Sequence, residues 1–104
     1  MKKIPKSFRL FGTTVNVVFN NERMNDRQNY GLSDYAKTEI TLSTTQGIDE
    51  LSEDRILDTF YHERTHSILD MMNERELSSN EKFVDVFSKL LRQADESAVF
   101  EDGI

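Results

Sequence analysis

Residues 51–72 read LSEDRILDTFYHERTHSILDMM. Ile56, Leu57, Phe60, Tyr61, Ile68, Leu69 and Met72 recur at helical spacing. Ser52 is a good N-cap, Glu53 and Asp54 suit the positive end of a helix, and Leu51 and Ile56 stand at staple spacing. The pattern predicts a helix over 53–72. Inside it lies His62-Glu63-Arg64-Thr65-His66, an H-E-x-x-H that holds both histidines of the chain. Residues i and i+4 of a helix are one turn apart, about 6 Å along the axis and roughly 40° around it. Two imidazoles on that ledge can reach one ion. Glu63 is turned about 100° from His62, where it can face a water held by the ion and take its proton. Two histidines fall at this spacing, with Glu after the first, in roughly 0.2 % of random placements in such a chain.

A catalytic zinc site ordinarily has three protein ligands and a water. With no third histidine and no cysteine, the third ligand must be Asp or Glu. Asp58 and Asp70 are each four residues from one of the histidines; Glu74, Glu76, Glu81 and Asp85 follow downstream. A short connection over 73–77 and a second helix opening at Ser78 would bring Glu81 back towards His66. Glu81 is therefore preferred as the metal ligand, with Asp70, Glu74 and Glu76 as alternatives. Asp85, one turn further, is expected to accept the second N–H of a ligating histidine. Ser78-x-x-Glu81 also reads as a capping box, which would compete for the same carboxylate. The apolar face of this helix carries Phe83, Phe87, Leu90, Leu91 and Ala94.

The first half reads as strand. Phe8 and Leu10, then Val15, Val17 and Phe19, alternate with polar residues, as in one strand bent at Gly12. Residues 20–29 are polar and read as a loop. Tyr30 and Leu32, a five-residue turn, and Ile40 and Leu42 form a hairpin. The expected fold is α+β: a three-stranded, mainly antiparallel sheet on two helices, the first carrying the zinc motif. The strand Glu39, Ile40, Thr41, Leu42 can take a peptide by β-augmentation if it lies at an edge; the other reading is a paired interior strand.

Composition bounds the rest. The chain has 104 residues, which is one domain with one core, and residues 95–104 form an acidic tail. Zero cysteines exclude disulfides, thiolate-bound zinc and iron–sulfur clusters. Nineteen acidic against thirteen basic residues leave no broad basic footprint, so no nucleic acid is expected. No apolar run is long enough to cross a membrane. Lys6, Ser7 and Arg9 interrupt any signal-peptide core after Met1-Lys2-Lys3, so the expected location is the cytoplasm.

H-E-R-T-H followed by E-K-F-V-D resembles the H-E-x-x-H…E-x-x-x-D signature of gluzincin metallopeptidases. The resemblance implies Zn2+ held by His62, His66 and Glu81, Glu63 as general base, and Asp85 orienting a histidine. Tyr30-Gly31-Leu32-Ser33-Asp34, a short loop and Glu39-Ile40-Thr41-Leu42 are similar to the hairpin before the zinc helix in compact ImmA/IrrE-like metallopeptidases and short phage-encoded relatives. There the strand nearest the cleft presents an open edge to substrate. Fourteen residues separate His66 from Glu81, a spacing suited to the compact members. Large gluzincins use a further Tyr or His to stabilise the oxyanion; here Tyr30, Tyr35, Tyr61, Arg64 and Arg75 are the candidates. The expected function is a zinc metallopeptidase that cleaves a peptide or protein by Glu-activated, zinc-bound water. The alternative is a non-catalytic, zinc-scaffolded module that binds peptide or protein.

Overall fold

The computed structural model describes residues 4–101. Strands β1 (Ser7–Leu10) and β2 (Thr13–Phe19) pair antiparallel, with Leu10 opposite Thr13. The expected bent strand is thus two strands. Phe11 (φ 50°) and Gly12 (φ 79°) both take positive φ between them, the geometry of a tight two-residue hairpin. Helix α1 (Asn21–Asp26) follows, inside the stretch expected to be loop. Its cap is the Asn20 side chain, which accepts from the Arg23 N–H. Its one buried residue is Met24, so no apolar period marks it in the sequence.

β3 (Gly31–Asp34) and β4 (Glu39–Leu42) form the expected hairpin. β4 also pairs in parallel with β2, giving a mixed four-stranded sheet in the order β1-β2-β4-β3. The sheet therefore has four strands where three were expected, and its central pair is parallel, while the two outer pairs are antiparallel as expected. The β2-to-β4 connection runs through α1 and β3, and that crossover makes the parallel pair. A two-stranded ribbon of β5 (Thr45–Gln46) and β6 (Asp49–Glu50) follows. Asn21 and Asn25 of α1 hold its approach through Thr44 and Thr45.

Helix α2 (Glu53–Met71) matches the expected zinc-motif helix, and Ser52 caps it by accepting from the Arg55 N–H. Its Phe60 packs into the core with Val15, Val17, Ile40 and Leu42. Leucine-sized apolar side chains gain about 2 kcal/mol each from such burial, which fixes α2 across the sheet. α3 (Arg75–Ser78) and α4 (Glu81–Ser97) complete the chain.

Two details of α4 depart from expectation. Its cap is Asn80, whose side chain accepts from the Phe83 N–H, not Ser78. Its apolar face also does not enter the core. Val84 and Ser88 are its buried residues, while Phe87 and Leu90 stay 46 % and 60 % exposed. The helix turns its more polar side, with Glu81 and Asp85, towards His62 of α2. No helix of the described residues is long and apolar enough to cross a membrane.

Candidate metal centre

The helical ledge places the His62 and His66 rings with centroids 5.0 Å apart. Glu81, the first residue of α4, reaches across to both. His62 Nε2 lies 3.2 Å from Glu81 Oε2, and His66 Nε2 lies 3.3 Å from Glu81 Oε1. Among the described residues, these three form the group whose donor atoms converge, all within 4.8 Å of one another. The histidine side chains are mostly buried and Glu81 is exposed, so the group opens to solvent on the carboxylate side. Asp58, an alternative third ligand, is instead bonded to Arg92. Asp70, Glu74 and Glu76 stand outside the convergent group. Residues 95–97, expected to open the acidic tail, are instead the last turn of α4, where Glu96 is bonded to Arg92, and Asp102 lies outside the described residues.

Ser78 is the residue that sequence reasoning misplaced. Its hydroxyl sits 3.0 Å from His66 Nδ1 and is buried. When Nδ1–H donates to that oxygen, Nε2 keeps a lone pair directed at Glu81. Burial, reinforced by the neighbouring His62 and opposed by the Glu81 charge, holds the His66 pKa below its usual value, which favours the neutral ring a metal ligand needs. Because Asn80 caps α4, the Glu81 carboxylate is also free of the competing capping role.

Asp85 falls short of its expected hydrogen bond. Its Oδ1 is 3.9 Å from His62 Nδ1, beyond bonding distance, and accepts instead from Lys89 Nζ at 2.7 Å. That bond is the main reason its pKa sits below the usual carboxylate range.

Glu63 lies beside the group, partly buried beneath β3. Burial, reinforced by the nearby Glu81 charge, pushes its pKa up to about 7, against a hydrogen bond from the Ser33 backbone. A carboxylate with that affinity can both accept and return a proton near neutrality. The close approach of β3 depends on Gly31: a Cβ there would lie 2.6 Å from Thr59 Cγ2 and 3.2 Å from Glu63 Cγ. One turn further along α2, Ser67 Oγ bonds Ser33 Oγ at 2.9 Å. Thr59, Glu63 and Ser67 thus form an i, i+4, i+8 seam under the strand. That spacing is visible in the sequence, but only the strand above gives it meaning.

The strand Glu39, Ile40, Thr41, Leu42 is not an edge. It is paired on both sides, and Ile40, Thr41 and Leu42 are buried. The edge beside the site is Gly31–Asp34. Next to it opens a cleft of about 540 Å³, lined by Tyr30, Gly31, Arg55, Thr59, His62 and Glu63. Of the expected oxyanion donors, Tyr30 borders this cleft, with Arg55 stacked on its ring at 5.0 Å. Tyr61 donates instead to Asp95, and burial followed by that bond raises its pKa. Arg64 lies over the Phe60 and Tyr61 rings, and Arg75 lies over Tyr35.

Two imidazole nitrogens and one carboxylate oxygen are a donor set that suits zinc and related divalent ions. The chain matches no family model, no curated protein and no solved structure.

Proposed function

We propose that the chain is a zinc-dependent metallopeptidase, with Zn2+ bound by His62, His66 and Glu81. The observation that carries this reading is the convergence of both Nε2 atoms on the Glu81 carboxylate, with Glu63 beside them at a pKa of about 7. Bound zinc supplies a positive charge that polarises a carbonyl and makes a nearby water more acidic. Glu63 Oε takes a proton from the attacking water and hands it to the departing amine nitrogen. The Ser33 N–H and the walls of the Thr59–Ser67 seam hold the Glu63 carboxylate in place. The substrate is a peptide that lies along the free edge of β3, main chain to main chain.

A second reading keeps the metal and the edge but not the chemistry: a zinc-scaffolded peptide-binding module. It is favoured by the oxyanion side, where Tyr61 is bonded to Asp95 and Tyr30 is covered by Arg55. Glu63→Gln decides between the two. The peptidase reading predicts that zinc-loaded wild type cleaves members of a mixed peptide library, read by mass spectrometry. The variant should retain zinc and lose cleavage by at least about a hundredfold. Peptide binding in both forms, with cleavage in neither, would establish the module.

A further inference from the structure

α4 is amphipathic in an inverted sense. Val84 and Ser88 pack inward, while Phe83, Phe87, Leu90 and Ala94 run down an adjoining face, about a third of a turn away. Their spacing of four, three and four residues is that of a coiled-coil seam. Phe87, Leu90 and the flanking Val86 are 46 %, 60 % and 50 % exposed. A groove of about 360 Å³ runs between Phe83, Val86, Phe87 and Leu90, with Asn80 and Lys82 at its head. The Phe83 and Phe87 rings are stacked at 5.6 Å, so one wall is already ordered. Beyond the other end of the helix stand Val99 and Phe100, 93 % and 83 % exposed.

We propose that this face receives the same face of a second copy of this chain. The two α4 helices pair antiparallel about a two-fold axis, and Val99 and Phe100 of each copy seat at the Lys82 end of the other's groove. The groove covers the first part of α4, from Asn80 to Leu90, and the apolar plug follows its last turn; the 17 residues of the helix span about 25 Å. An antiparallel partner brings plug to groove at both ends at once, which is the self-complementarity a two-fold dimer needs. Charge selects the same direction. Lys82 at the head of the groove would meet Glu101, next to Phe100, of the partner copy. A parallel pair would set Lys82 against Lys82 and Glu101 against Glu101. Complete burial of the exposed parts of Val86, Phe87, Leu90, Val99 and Phe100 would remove at most about 600 Å² per copy, or about 1,200 Å² for the pair. A specific interface needs roughly 1,000 Å², so the face is sufficient for a reversible dimer. Glu81 and Asp85 lie on the other side of α4, and the pairing leaves the cleft open.

Sedimentation velocity on the full chain, from micromolar to submillimolar concentration, tests this. The wild type is expected to pass from monomer to dimer. Leu90→Glu, at an exposed position, should raise the dimer dissociation constant at least about tenfold with an unchanged far-ultraviolet circular dichroism spectrum. Lys82→Glu should weaken the dimer, and Glu101→Lys added to it should restore it. A chain that stays monomeric throughout, or a dimer indifferent to Leu90→Glu, would overturn the proposal and leave this face to a different occupant. A dimer that Lys82→Glu does not weaken, or that the double charge swap does not restore, would overturn the antiparallel arrangement.

Discussion

α2 is held in two different ways on its two sides. Against the sheet it buries Phe60 among Val15, Val17, Ile40 and Leu42. Against α4 it meets a seam that is largely polar. Arg92 bonds Asp54 and Asp58, Tyr61 bonds Asp95, and Ser88 and Val84 fill the middle. The candidate metal group straddles the second seam, with His62 and His66 on α2 and Glu81 on α4. A dry core fixes position through close packing, whereas exposed ion pairs contribute little. The contrast implies that metal binding tightens the docking of α4 more than it stabilises the sheet and α2.

Breaking the first contact should have the largest effect. Phe60→Ala is expected to cost about 4 kcal/mol, read as a shifted midpoint in denaturant unfolding of both metal-free and zinc-loaded protein. The next effect comes from Glu63, on the boundary of the two regions. Its folded pKa of about 7 lies above the ordinary 4.5, so the unfolded chain releases this proton more readily. Its stabilising contribution is full below about pH 4.5 and is lost as pH rises through about 7. His66 has the opposite sign, since its lowered pKa favours folding as the unfolded imidazole gives up its proton. The difference between metal-free wild type and Glu63→Gln, both of which carry His66, isolates the carboxylate. Wild type should lose up to about 3 kcal/mol relative to the variant between those limits, measured as urea midpoints across pH.

Smaller changes sharpen the polar seam itself. Arg92→Met should cost about 1 kcal/mol of stability, since Asp54 is mostly exposed and Asp58 partly so. The same variant should weaken zinc binding, because α4 is then less firmly aligned; hydrogen exchange of α4 amides, faster than in α2, would register it. Ser78→Ala should have the mildest effect on the fold and lower zinc affinity about tenfold by releasing the His66 ring. Equal loss of protection in α2 and α4 on Arg92→Met would erase the distinction between the two contacts.

α2 was legible because its apolar period, its Ser52 cap and its histidine spacing all lie within one element. The hairpin of β3 and β4 was legible for the same reason. The parallel pairing of β2 with β4 was not, since period-2 alternation tells which residues face the core but not which strand lies beside which. That is also why Glu39, Ile40, Thr41 and Leu42 could be taken for an edge. α1 went unseen because one buried Met24 makes no pattern. Ser78 and Asn80 both have the chemistry of a cap, and only the path of the chain through α3 assigns the cap to Asn80 and Ser78 to His66. The outward face of α4 was visible as apolar, but pattern alone does not say which side of a helix a neighbour will cover.

The central claim is that His62, His66 and Glu81 form one metal centre across the polar seam. Calorimetric titration of zinc into chelator-stripped wild type, with Glu81→Ala alongside, tests it most directly. The account predicts one tight site in the wild type, weakened at least about a hundredfold in the variant. No binding to the wild type, or equal binding to both, would contradict it.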